Sequence, residues 1–283
     1  MSIMSLKLYA RGVLGDSAYR RLYELKQYPK RMLWAVLGTR AHRFYELMLR
    51  DSWGYLPVKQ YLDYQKLLLF WKVCPYAQQN FASLSNVYDL TILIERNHVP
   101  GSIVECGVWR GGCAAVMGVV SANLGSGRKV WLFDSFEGMP EAGPMDIGEN
   151  AERLATNRMN GRLVPINVNV AQIDGVRRFL FEELVLDPEK VVLVKGWFQD
   201  TLPEAKNKLE QIALLRIDGD WYESTKVCLE QLFDTVTAGG YVIIDDYGFF
   251  PGCKAAVDEF IKARELKVEL KPVDYSRVYF QKP

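Results

Sequence analysis

The sequence predicts an α/β fold built on a mainly parallel sheet. Three observations predict it. From residue 100 onward short β-rich runs alternate with helical patterns, the first five runs end in an acidic residue or run into glycine, and the last two runs lie too close together for a crossover helix. The runs are Ser102 to Gly107, Lys129 to Asp134, Val191 to Lys195, Ala213 to Asp218, Gly240 to Asp245, Lys267 to Pro272 and Arg277 to Gln281. Val273 to Ser276 alone separates the last two, so these should pair as an antiparallel hairpin. Open parallel sheets bind ligands at the carboxyl ends of their strands, and here those ends are rich in glycine and aspartate.

Composition sets the outer bounds. The chain has 283 residues, 49% of them hydrophobic and 24% charged, with 22 Gly and 12 Pro, which excludes a disordered, collagenous or disulfide-stapled class. Its longest apolar runs, Met32 to Leu37 and Leu67 to Trp71, fall far short of the roughly 18 residues that span a bilayer. No secretory signal pattern opens the chain, so a cytoplasmic protein is expected. The five cysteines (Cys74, Cys106, Cys113, Cys228, Cys253) show no CxxC or zinc-like spacing and read as free thiols. His42 and His98 are the only histidines, which disfavours a histidine zinc cage and leaves acid and base chemistry to carboxylates.

Charge divides the chain. Residues 1–75 hold 13 Lys and Arg against 5 Asp and Glu, and the remainder holds 22 against 29. The first 75 residues therefore read as a helical, basic and aromatic extension, and residues 76–283 as the α/β domain. A basic amphipathic helix can lie on an anionic membrane or on nucleic acid. The preferred reading is an arm whose basic face is solvated or packs on the acidic remainder, so no nucleic-acid partner is expected and membrane contact is the lesser alternative.

Taken in order, the first strand leads into Glu105-Cys106-Gly107-Val108-Trp109-Arg110-Gly111-Gly112 and then a helix from Cys113 to Val120. Glycines at such a turn let a ligand approach the backbone at a helix N-terminus. A carboxylate at Glu105 would repel a pyrophosphate but suits a cation, such as the ammonium group of a methionine-derived cofactor. The second strand ends Phe133-Asp134-Ser135-Phe136-Glu137-Gly138, which puts Asp134 where a ribose ligand is expected. The fourth and fifth strands run into Asp218-Gly219-Asp220 and Asp245-Asp246. Four aspartates converging at one sheet edge would be costly without a cation, and hard oxygen donors with no nearby Cys or His favour Mg²⁺.

ECGVWRGG, FDSFEG, KGWFQDTLP, RIDGDWYEST and GGYVIIDDYG, followed by Gly252 to Asp258, resemble the macrocin O-methyltransferase family over about Pro100 to Phe260. The resemblance implies a class I, Rossmann-like S-adenosylmethionine (AdoMet) methyltransferase fold, with a seven-stranded sheet and a reversed final strand. It implies metal-dependent methylation of a hydroxyl, above all on a sugar, in natural-product or polysaccharide pathways. Glu105, Gly107, Val108, Trp109, Asp134, Ser135 and Gly138 would then bind AdoMet, with Asp200 near the adenine amino group or capping the next helix. Asp218, Asp245 and Asp246 would hold Mg²⁺, and Asp220 matches the family's general base. Trp221 stands where the family often has a smaller aliphatic residue, a change expected to alter the acceptor pocket. The Thr-Met pair that often touches the cofactor is missing from Tyr76 to Asn80. Related enzymes build lids and dimer contacts from the N-terminal region, so a homo-oligomer acting on a small-molecule or glycan acceptor is expected. The rival classes are a catechol-type methyltransferase and a non-catalytic module that keeps the AdoMet fold.

Overall fold

A computed structural model describes residues 40–48, 60, 62–156 and 158–283. The expected sheet forms from β1 (Ser102–Cys106), β2 (Val130–Asp134), β3 (Val191–Lys195), β4 (Ile212–Ile217), β5 (Val236–Ile244), β6 (Lys271–Pro272) and β7 (Val278–Gln281). Their order across the sheet is β3-β2-β1-β4-β5-β7-β6. The first five strands run parallel, while β7 pairs antiparallel with both β5 and β6. The reversed final strand is therefore present.

The sixth strand is shorter than the expected Lys267 to Pro272. Its pairing is confined to Lys271 with Tyr279 and Pro272 with Val278. The alternation that suggests a longer strand is real, because Leu266, Val268 and Leu270 pack on the core, but the stretch makes no ladder. At a sheet edge, one-sided burial by itself produces period two.

Helices cover both faces. They are α1 (Tyr64–Val73), α2 (Phe81–Arg96), α3 (Gly112–Leu124), α4 (Glu149–Ala155), α5 (Ile173–Arg177, running into a π-helical turn over Arg178–Glu183), α6 (Phe198–Lys206), α7 (Tyr222–Leu232) and α8 (Pro251–Ala263). Adjacent residues of the central strands serve opposite cores, as a pleat requires. Ile103 and Leu214 join Phe70, Phe81, Leu84 and Met117 under α1 to α3. Val104 and Leu215 join Leu202, Leu229, Val257 and Phe280 under α6 to α8. Helix α3 is apolar nearly all round because it is buried nearly all round, and left-handed Gly111 and Gly125 bound it (φ 87° and 73°).

Of the basic extension, residues 1–39, 49–59 and 61 lie outside the described residues, and most of the candidate membrane-facing arm lies there. Residues 40–48 are helical, with Leu47 buried in the first core. Among the described residues no helix is long and apolar enough to cross a membrane. All five cysteines are buried free thiols.

Candidate active site

Four charged residues form a row on one face of the sheet, at its carboxyl edge. Glu105 of β1 lies directly opposite Arg216 of β4, and Asp245 and Arg277 stand at the adjoining ends of β5 and β7. Their order across four neighbouring strands is acid, base, acid, base. Arg216 donates from Nη1 to Glu105 Oε1 (2.8 Å) and from Nη2 to Asp218 Oδ2 (2.9 Å) and Asp245 Oδ1. Arg277 donates from Nε to the same Asp245 oxygen (3.0 Å) and from Nη1 to Asp274 Oδ2 (3.0 Å). Asp274 also accepts from Asn80 Nδ2 (2.8 Å), and Asn80 caps α2 through Ser83 N. The row is thereby tied to the segment that enters α2.

A cavity of about 340 Å³ opens over this row, a size that suits a small-molecule ligand. Gly107, Val108 and Trp109 of the turn after β1 line it, as do Asp134 at the end of β2 and Ser135 and Gly138 after it. Asp134 organises the two turns. Its Oδ2 accepts from Val108 N and Trp109 N (2.8 Å each) and its Oδ1 from Phe136 N (2.6 Å). Burial raises its pKa and these three N–H bonds oppose the rise. Gly107 sits at φ 92°, and a β-carbon there would lie 1.9 Å from Asp218 O, so only glycine lets β1 and β4 end side by side.

Opposite lie Asp218, Asp220 and Asp246, whose carboxylate oxygens approach within 4.8 Å of one another. Asp220 adopts a left-handed backbone (φ 57°), an uncommon conformation that is most often tolerated at functional turns. Glu105, Asp218, Asp220, Asp245 and Asp246 share two guanidinium groups, and Arg277 is also drawn to Asp274. The site is thus short of positive charge. Burial pushes Glu105 up to about 8 against the pull of Arg216. Burial, with the Asp245 charge added, takes Asp218 to about 6, and Asp220 and Asp246 rise well above the carboxylate range. Asp245 is also buried, but Arg216 and Arg277 outweigh that and hold it low.

Among the described residues, two buried oxygens on the cavity residues have no partner, Glu105 Oε2 and Asp246 Oδ2. An orphaned buried acceptor is costly, and a cationic donor or metal ion is one chemistry that would satisfy both. Glu105, beside the glycine turn, fits an ammonium group. The hard-oxygen set on the other side fits Mg²⁺ or a similar divalent ion.

Most of the residues singled out in the sequence come together here, with two exceptions. Asp200 is an exposed residue in the first turn of α6 and does not line the cavity, whereas Trp197, Phe198 and Gln199 beside it do. Trp221 does not line it either. It is 1% exposed, its indole N–H donates to Pro140 O (3.0 Å), and its ring meets Phe250 edge-on. Trp221 supports two cavity residues from behind. From the Tyr76 to Asn80 stretch, which lacks the Thr-Met pair, Tyr76, Gln78 and Gln79 line the cavity; Tyr76 stacks on Phe179, and Gln78 bonds Asn169.

Sequence reasoning gave no role to Arg216, Arg277, Asp274 or Asp146. Arg216 carried a signal, since a single cation inside the otherwise apolar Ile212–Ile217 must find buried partners. Asp146 is 1% exposed and accepts from Tyr222 N (2.7 Å) and Gly143 N (2.8 Å), which caps α7 from a distant loop.

A sequence profile described as Macrocin-O-methyltransferase (TylF) matches residues 75–282. The chain is 38% identical over 217 residues to demethyldecarbamoylnovobiocin O-methyltransferase of Streptomyces niveus, covering 75% of this chain and 78% of that protein. It is 34% identical over 200 residues to mycinamicin III 3''-O-methyltransferase of Micromonospora griseorubida, covering 70% and 75%. Among solved structures, the O-methyltransferase NovP aligns with a TM-score of 0.63 at 38% identity, over 73% of this chain and 82% of that one. The calicheamicin methyltransferase CalS11 shares the fold, with a TM-score of 0.57 at 21% identity over 86% and 91% of the two chains.

Proposed function

This chain belongs to the macrocin O-methyltransferase family, and on that premise we propose that it moves the methyl group of AdoMet to a sugar hydroxyl with the help of Mg²⁺. The observation that carries this reading is the pair of orphaned buried oxygens, Glu105 Oε2 and Asp246 Oδ2, in one cavity with more carboxylates than cations. The sugar acceptor rests on a relative's name, that of a 4'-O-methyltransferase acting on a rhamnosyl-tetracenomycin, 34% identical to this chain.

Glu105 would receive the ammonium end of AdoMet, and Asp134 fixes the two turns that would hold the nucleoside. AdoMet supplies a methyl group already activated on sulfur, so the protein's task is alignment of oxygen, carbon and sulfur. Asp218 and Asp246 would hold the cation with Asp245, whose Oδ1 takes the bonds from Arg216 and Arg277. A divalent cation supplies Lewis acidity, which makes a weakly acidic sugar hydroxyl easier to deprotonate. Asp220, within 4.8 Å of the Asp218 and Asp246 carboxylates, would accept the hydroxyl proton. Trp109, Trp197 and Phe250 line the cavity and give it apolar walls beside the carboxylates.

The test is methyl transfer from labelled AdoMet to a panel of deoxysugar glycosides and catechols, with Mg²⁺ and with chelator. Transfer to glycosides that chelator abolishes is the expected result. Methylation confined to catechols would replace the acceptor class, and chelator-resistant transfer would remove the metal.

A further inference from the structure

The two halves of this cavity share one side chain. Arg216 is 1% exposed and divides its donors between Glu105, on the side assigned to AdoMet, and Asp218 and Asp245, on the side assigned to the cation. Among the described residues its buried Nε has no partner, so the guanidinium has a donor to spare. Only arginine presents enough donors in a fixed fork to reach three carboxylates at once, whereas lysine is a point charge. We propose that Arg216 is a positioning residue that couples the two subsites, orienting Glu105 for the ammonium group and Asp218 and Asp245 for the cation. The proposal rests on the AdoMet and metal reading above.

This role predicts a selective loss. S-adenosylhomocysteine carries the ammonium tail and methylthioadenosine lacks it, so each reports on a different part of the cavity. In R216K, affinity for S-adenosylhomocysteine should fall at least about tenfold and Mg²⁺ binding should weaken with it, while methylthioadenosine affinity stays within about twofold. E105Q should weaken S-adenosylhomocysteine alone. The double variant should be no weaker toward it than E105Q, because Arg216 acts on the ammonium through Glu105. Equal losses for both nucleosides, or additive effects of the two substitutions, would overturn the proposal, since a merely structural arginine behaves that way.

If R216K does not fold, the wild-type holoprotein still decides. Mg²⁺ should alter the affinity for S-adenosylhomocysteine and leave that for methylthioadenosine unchanged, and the effect must be reciprocal. Independent binding of Mg²⁺ and S-adenosylhomocysteine would overturn the coupling while leaving the methyltransferase reading intact. Failure of the wild type to bind S-adenosylhomocysteine at all would overturn both.

Discussion

At the scale of single residues, Glu105 makes the sharpest statement about pH. Its ordinary value is 4.5 and burial raises it to about 8, so between those limits the folded protein holds a proton that the unfolded chain has released. Stability of the ligand-free protein therefore falls as pH rises through that window, and E105Q should flatten the slope in denaturant titrations. An ammonium ligand needs the ionised carboxylate. Calorimetry at pH 7, repeated in buffers of different ionisation enthalpy, should find about one proton released per S-adenosylhomocysteine bound by the wild type and none by E105Q. Asp220→Asn makes a second claim: S-adenosylhomocysteine and Mg²⁺ binding persist while the methylation rate falls about 10²- to 10⁴-fold. Loss of Mg²⁺ binding in that variant would make Asp220 a ligand instead. Glu105, Asp134 and the aspartates could be read from the sequence because each stands beside a glycine or at a strand end. Arg277 and Asp274 could not, because Asp245, the partner of Arg277, and Asn80, a partner of Asp274, are 32 and 194 residues away and the hairpin turn looks like any polar turn.

At the scale of elements, the strands were legible because the inner ones are buried on both faces. Ile212–Ile217 is buried throughout and reads as an apolar run interrupted only by Arg216. The stretch from Ser135 to Lys190 was opaque for the opposite reason. Apart from short helices it is held by long-range bonds such as Met139 N to Val168 O and by Asp146, neither of which leaves a periodic trace. Asp146 makes a prediction here. Helix α7 has no capping side chain of its own, and Asp146 fills that place from the loop before α4. Asp146→Ala should cost about 1–3 kcal/mol in chemical denaturation, because two buried N–H groups lose their acceptor. Since α7 begins directly after Asp218 and Asp220, Mg²⁺ binding should weaken in the same variant. Gly107→Ala should be worse still, with a β-carbon driven into Asp218 O where β1 meets β4.

At the scale of the whole molecule, the architecture places a net negative edge where three central strands end and closes it with a reversed hairpin that returns Arg277 to the site. Such a site weighs against the ligand-free fold and favours the ligand-bound one. Saturating S-adenosylhomocysteine with Mg²⁺ should raise the unfolding temperature, and at a hundredfold excess over Kd each ligand adds about 2.7 kcal/mol. The most direct test is calorimetric titration of Mg²⁺ into the protein saturated with S-adenosylhomocysteine, beside Asp246→Asn. The account predicts one tight ion per chain in the wild type and none in the variant. No uptake by the wild type, or equal uptake by both, would contradict it.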